Sequence, residues 1–348
     1  IRDRITFGGM LVIMSVVLIL LLIANTSLPL FKSPQAEIFA KFPLSGVAHQ
    51  DILAIGVDEY LETGFFADRA GIFHFFETQQ GLETDQIIVS PPYDNAKLLK
   101  IENYGRMQFG LFWDDGSLTL ERVAFKSFLD ENDNNRRTIL HELHRDAEFA
   151  ATEGDMPTLS LGRIGEDGRR TRIDLLADGQ IQITQGAINE SLFGDEEEEL
   201  FSENLASPDY GEITSIALDS QGKALYAGTS QGYLLHWSLQ EPGAAELLDE
   251  LPAFADGRAI SALSMVFGDY SLAVGDAEGK LTTWFPVRVE KNRARKELKR
   301  IHDLASHNSS VQKIQHSPRD KSLLSLSREG FLHLDHMTSE RHLLELGN

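Results

Sequence analysis

The chain has 348 residues, 42% of them hydrophobic, a formal net charge of −21 and no cysteine. That length exceeds an average single domain and supports a large core, while the missing cysteines exclude disulfides, thiolate metal sites and a Cys nucleophile. The negative charge opposes nucleic-acid binding, which depends on Lys and Arg displacing counterions from phosphates, so no nucleic-acid partner is expected.

Residues 5–23, ITFGGMLVIMSVVLILLLI, contain no charged side chain. At about 1.5 Å per residue the run nearly spans a hydrocarbon core of about 30 Å. Asn25-Thr26-Ser27 gives a polar exit and Pro29 a stop. We therefore expect a transmembrane helix within 1–30, in contact with membrane lipid. The run is too long for the apolar region of a signal peptide, and Ile23-Ala24-Asn25 is a poor cleavage site. Arg2 and Arg4 precede it, and Lys32 is the only basic residue immediately after it. This bias points the N-terminus to the cytoplasm and the remainder outward. The first residue is Ile rather than Met, so a preceding segment is expected. Residues 31–50 contain two prolines and no clear period, and read as a linker.

From residue 51 onward the chain reads as short strands. Ile213–Trp237 holds three apolar runs separated by Asp219-Ser220-Gln221-Gly222 and by a Gly-Thr-Ser-Gln-Gly corner. This is the sequence form of three antiparallel strands joined by tight turns. The pattern recurs with a Gly 19 and a bulky or polar strand residue 24 positions after the leading residue. Examples are Ile52 with Gly71 and Phe76, Ile260 with Gly279 and Trp284, and Val311 with Gly330 and Asp335. Gly116 marks a weaker copy, and the runs around Gly168 and Gly179 a degenerate one. A unit repeated every roughly 45–50 residues predicts a β-propeller of six or seven blades over 51–348, because such sheets bury their faces only by packing on one another.

Several stretches invite a chemical reading. Phe65-Phe66 and Phe73-His74-Phe75-Phe76 suit packing between sheets better than a ligand cage. Residues 127–135, SFLDENDNN, read as an exposed loop. Asp130, Asn132 and Asn134 alternate as in a calcium loop, but Asn135 stands where that loop needs Gly. His141 and His144 are three apart, not the four that place two zinc ligands on one side of a helix, so a polar strand or turn is expected. Residues 195–199, DEEEE, read as a solvated loop. Residues 288–300, RVEKNRARKELKR, form the one strongly basic segment. Ala294, Leu298 and Ile301 recur there at helical spacing, so an exposed strand or helix fits. Arg293, Arg295, Lys296, Lys299 and Arg300 are the candidate contacts for anionic lipid or for an acidic face of a partner. No P-loop lysine motif, no GxGxxG and no nucleophile elbow appear, so no catalysis, cofactor or metal is expected.

The segments 218–222 (LDSQG) and 316–320 (HSPRD) fall where WD40 repeats carry their S-P-D-G turn. The segments 228–232 (GTSQG) and 326–330 (LSREG) match the S-x-D-G corner of that family. The units resemble degenerate WD40 repeats: Trp237 precedes Ser238, Trp284 precedes Phe285, and no Gly-His pair opens a blade. The wider layout is Arg-Asp-Arg before an apolar helix with Gly8-Gly9, then Pro29-Leu30-Phe31, then repeats ending in 337–341 (MTSER). It resembles the N-terminal part of a long-form bacterial phosphate ABC transporter permease. That resemblance implies an inner-membrane subunit with a periplasmic propeller, used in docking or regulation of phosphate import. It implies a second permease, an ATPase and a periplasmic phosphate-binding protein as partners, and a transport core lying outside these residues. The alternative is a stand-alone anchored propeller that scaffolds envelope protein assembly.

Overall fold

The computed structural model describes residues 2–28, 40–43, 47–130, 136–151, 156–190, 196–206, 209–266, 268–289, 292–317 and 320–347. The chain divides into two compact units, 1–37 and 38–348. The first is a single helix, α1 (Arg2–Ser27), and its 26 residues reach about 39 Å at 1.5 Å each. From Met10 to Ser27 it is long and apolar enough to cross a membrane. Within it Ser15 Oγ donates to the Val12 carbonyl and Thr26 Oγ1 to those of Leu22 and Ile23.

The second unit is all-β. Its described strands form six four-stranded antiparallel sheets, a six-bladed propeller. Blade 1 holds β1 (Ile52–Val57), β2 (Thr63–Asp68), β3 (Ile72–Glu77) and β4 (Glu83–Ile88). Blade 2 holds β5 (Leu98–Gly105), β6 (Gln108–Trp113), β7 (Leu118–Asp130) and β8 (Arg136–Phe149). Blade 3 holds β9 (Leu159–Ile164), β10 (Arg170–Leu175), β11 (Ile181–Glu190) and β12 (Glu196–Leu205). Blade 4 holds β13 (Ile213–Leu218), β14 (Ala224–Thr229), β15 (Tyr233–Ser238) and β16 (Glu246–Pro252). Blade 5 holds β17 (Ile260–Met265), β18 (Leu272–Asp276), β19 (Leu281–Val289) and β20 (Asn292–Asp303). Blade 6 holds β21 (Val311–His316), β22 (Ser322–Ser327), β23 (Leu332–His336) and β24 (Arg341–Leu346). Each blade is one uninterrupted stretch of chain, so no blade borrows a strand from the other end.

The corner between the second and third strand explains the sequence repeat. Gly71, Gly116, Gly179, Gly232, Gly279 and Gly330 all occupy it with φ between 78° and 98°, a region that only Gly enters without strain. Three residues earlier a short polar side chain caps the turn in four blades. Asp68 Oδ1 accepts from the amides of Ala70 and Ile72, and Asp276 Oδ1 from those of Glu278 and Lys280. Thr229 Oγ1 and Ser327 Oγ accept from Tyr233 and Phe331. The turn after β13 is held likewise by Asp219 Oδ1, which accepts from Lys223 and Ala224.

Apolar side chains meet between neighbouring blades in five clusters. The largest joins blades 3 and 4 through Ile173, Ile183, Leu225 and Trp237. Phe65, Phe73, Phe75 and Phe109 join blades 1 and 2, so the aromatic group is packing as expected. Further clusters join 4 to 5, 5 to 6 and, with only four fully buried members, 2 to 3. Among the described residues none of the five spans blades 6 and 1. The matching face of blade 6 carries Leu324, Leu334 and Leu344 opposite one another, each half-buried or exposed.

Two sequence expectations are corrected and a third, left between two readings, is resolved. Residues 127–130 continue β7 instead of forming a loop, and β7 pairs with β8 over its whole length; residues 131–135, with the calcium-like spacing, lie outside the described residues. Glu196–Glu199 begin β12 and pair with β11, so the acidic run is strand. Residues 292–303 are strand β20, the strand reading of the two held for the basic segment. The fourth strand escaped notice in blades 1 and 4 because it sits at the rim. β4, for example, is exposed at nearly every position and so carries no apolar alternation.

Candidate functional site

The inner strands β5, β9, β13, β17 and β21 of blades 2–6 surround a cavity of about 460 Å³. Apolar residues such as Leu161, Ile216 and Leu263 line part of it, and charged groups gather where the first strand of each blade turns into the second. Tyr104, on β5, lies under the guanidinium of Arg163 from β9, with Arg163 Cζ 4.2 Å from the ring centre. The Tyr104 hydroxyl accepts from the Gly162 amide at 3.2 Å, and Arg163 Nη2 donates to the Tyr104 carbonyl at 3.4 Å. Burial pushes the Tyr104 phenol up to about 12, with Arg163 acting in the opposite sense. Burial also lowers the Arg163 guanidinium, against the pull of Tyr104, Asp269 and Asp219. Its Nε and Nη1 are buried and make no hydrogen bond.

Other charges balance one another. Asp269 accepts from Ser220 Oγ across blades 4 and 5. Burial raises Glu102, but Lys313, 3.5 Å away, and Lys100, at 2.6 Å, together hold it below the usual carboxylate value. His316 is pushed down by burial, with Asp269 opposing, and its Nδ1 has no partner. The cavity thus offers a pair of guanidinium N–H donors and a neutral imidazole beside carboxylates. That arrangement can receive a hydrogen-bond acceptor. Among the described residues no cavity hydroxyl is bonded to His316, whereas Ser220 Oγ is bonded to the Asp269 carboxylate.

The basic segment lies elsewhere, at the rim. Lys296, Lys299 and Arg300 are exposed on β20, and Arg300 pairs with Asp303. Arg293 and Arg295 belong to the same strand; their side chains lie outside the described residues. Within β20, Leu298 is buried against blade 4, where its amide donates to Asp249 Oδ1 at 3.3 Å. Strand alternation puts Lys296 and Arg300 on the Leu298 side and Lys299 on the other. The segment is therefore a charged rim strand with one apolar anchor. His141 and His144 also sit on a strand, β8, as one of the two readings held. His141 stacks on Phe75 at 3.8 Å, with Nε2 3.0 Å from Asp85 Oδ2, and His144 lies 2.9 Å from Glu142.

Sequence reasoning missed the cavity residues. Tyr104, Arg163, Asp269 and His316 come from four different blades, and no local motif links them. The available signal was that each stands at the end of a predicted first strand or just after it, where a propeller brings equivalent positions together.

No family model matches the chain, and no curated protein matches it. Among solved structures it is similar to Raptor from Chaetomium thermophilum, with a TM-score of 0.53 and 11% identity over 85% of this chain and 25% of that one. It is also similar to the computationally designed Ika8 protein, with a TM-score of 0.50 and 12% identity over 86% of this chain and 88% of that one. The chain spans about a quarter of Raptor. At such identities both likenesses concern the fold.

Proposed function

We propose that this chain is a membrane-anchored propeller whose work is docking, not catalysis. The observation that carries this reading is the joining of a helix of spanning length, free of charge from residue 5 to its end, to a six-bladed ring. Propellers present wide surfaces made of turns and rim strands, and an anchor holds such a surface beside membrane partners. The Arg2 and Arg4 bias supports a cytoplasmic N-terminus, a bacterial inner-membrane helix and a periplasmic propeller. Alkaline washing of membranes should leave the chain in the pellet, and protease added to spheroplasts should cut it. Release by alkali or full protection would defeat the anchored, outward reading.

The narrower reading is a subunit of a phosphate-type ABC permease, supported by the resemblance of the first helix and the segment after it. On this reading the second permease, the ATPase and the phosphate-binding protein are the partners. Cross-linking in intact membranes should then recover at least one of them. Recovery of none would leave the stand-alone envelope scaffold. The propeller itself should not bind inorganic phosphate, because Lys313 and Arg122 at the cavity are already paired with Glu102 and Asp146. Micromolar binding by the detergent-solubilised chain would contradict this. Reversing Lys296, Lys299 and Arg300 to Glu should lower the cross-linking yield severalfold if the basic rim strand is the docking face, and an unchanged yield would remove it from that role.

A further inference from the structure

A second group of polar side chains lies in blade 6, away from the channel. On β23, His333 and Asp335 are two residues apart and so project from one face. Their cross-strand neighbours on β24 are Glu345 and His342. Those two are three apart and would point oppositely in a regular strand. An irregularity in the pairing between Leu334 and Asp335 inserts one extra residue on β24. That bulge brings His342 and Glu345 to the same face as His333 and Asp335.

Three of these side chains converge, and Glu345 approaches one of them. One donor atom from each of His333, Asp335 and His342 lies within 4.8 Å of the other two. His342 Nδ1 is 2.8 Å from Asp335 Oδ1, and His333 Nε2 is 3.5 Å from Glu345 Oε2. Asp335 is wholly buried and His333 is 5% exposed. Even so, Asp335 Oδ2 and His333 Nδ1 have no hydrogen-bond partner. A buried polar atom left unpaired costs about 1–3 kcal/mol, more when charged. The unpaired Asp335 Oδ2, buried within a cluster of metal-ligating side chains, points to a ligand that satisfies it.

The His307 ring stacks on His333 with centroids 3.7 Å apart, and His307 Nε2 sits 2.8 Å from Ser325 Oγ. That support fixes the orientation of the His333 ring, as outer-sphere partners do for metal ligands. Two imidazoles and a carboxylate, with Glu345 at the rim as a fourth ligand, match the nitrogen and oxygen preferences of a borderline divalent ion. The oxygen-rich shells of Ca²⁺ or Mg²⁺ are not offered.

We propose that His333, Asp335 and His342, completed by Glu345, form a site for one divalent transition ion of the Zn²⁺ class on blade 6. Binding would replace the His342–Asp335 hydrogen bond by coordination and tie β24, the last strand of the blade, to β23.

The test uses the full chain in detergent, stripped with chelator and titrated with ZnCl₂. We expect one tight equivalent per chain. His342→Ala should weaken that equivalent at least tenfold, while His302→Ala, outside the cluster, should leave it unchanged. Co²⁺ in place of Zn²⁺ should give the visible absorption of a low-coordinate nitrogen–oxygen site, lost in the same variant. If His342→Ala does not fold, Glu345→Gln, at an exposed position, should weaken binding and shift the Co²⁺ spectrum. Absence of a tight equivalent would overturn the site. So would equal affinity in parent and His342→Ala, or in Glu345→Gln with an unshifted spectrum, which would leave the cluster a hydrogen-bonded network.

Discussion

Arg172 is the sharpest test of how the blades are joined. It is 1% exposed, and its guanidinium makes three bonds. Nε donates to Asp174 Oδ2 at 2.7 Å, Nη1 to the Ala150 carbonyl at 2.6 Å and Nη2 to the Gly116 carbonyl at 2.8 Å. Asp174, also buried, keeps only Ser160 Oγ when Arg172 is lost. The bonds to Gly116 and Ala150 cross from blade 3 to the chain of blade 2, at the junction whose apolar cluster is smallest. Arg172→Met preserves bulk but strands a buried carboxylate, which costs about 3–5 kcal/mol. Adding Asp174→Leu removes that charge. Two carbonyls then remain short of donors at about 1–3 kcal/mol each, so the double variant should recover part of the loss and not all. Trp113, Trp237 and Trp284 are buried and report unfolding by fluorescence. Denaturant titration of the detergent-solubilised chain would give the three stabilities. An Arg172→Met variant within about 1 kcal/mol of the parent would refute the bridge, as would a double variant no better than the single.

Gly279 and Gly330 share the corner conformation but not the space around it. A Cβ at Gly279 would meet the His307 carbonyl oxygen at 2.3 Å and that of Ser309 at 2.7 Å, whereas at Gly330 nothing lies within 4 Å. Gly330→Ala should cost about 1 kcal/mol for the left-handed backbone alone, and Gly279→Ala clearly more in the same titration. His316 gives a pH dependence. Its folded pKa is below 6.5 because of burial, so the folded state resists a proton that the unfolded chain accepts. Stability should be full above about pH 6.5 and fall as pH drops through that value towards the folded pKa. His316→Asn should flatten this component of the profile, and an unchanged profile would reject it. Amide exchange should be faster in β21–β24 than in β13–β16. Blade 4 is packed by apolar clusters on both sides and blade 6 by one, among the described residues.

The ring was legible in the sequence because its corner is a backbone requirement. Left-handed φ at Gly71, Gly232, Gly279 and Gly330 admits little but Gly, so the spacing survives where side chains have drifted. The same corner at Gly116 and Gly179 stands in blades whose outer hairpins are long, β7 with β8 and β11 with β12, and the repeat there reads as degenerate. Those hairpins were misread for a related reason. Polar residues such as Glu196–Glu199 occupy strands fixed by backbone pairing at the solvent rim, where composition says loop. The helical spacing of Ala294, Leu298 and Ile301 left strand and helix both open for the basic segment, which is strand. Leu298 is anchored in the core, and Ile301 falls at an irregularity of the β19–β20 pairing and is exposed.

The candidate sites were illegible for a different reason. His333, Asp335, His342 and Glu345 are close in sequence, yet their spacing mixes both strand parities, and only the bulge in β24 reconciles them. A bulge leaves no strong residue signature, so period-2 reasoning assigns His342 and Glu345 to opposite faces. The cavity depends on a longer-range fact, that the first strands of five blades face one another. Once the blade order is known, positions at the same depth in β5, β9 and β21 become neighbours. Tyr104, Arg163 and His316 are then read as one group. Predicting blades therefore yields the inner surface one step later than the fold, by stacking the repeats in register instead of searching each for a motif.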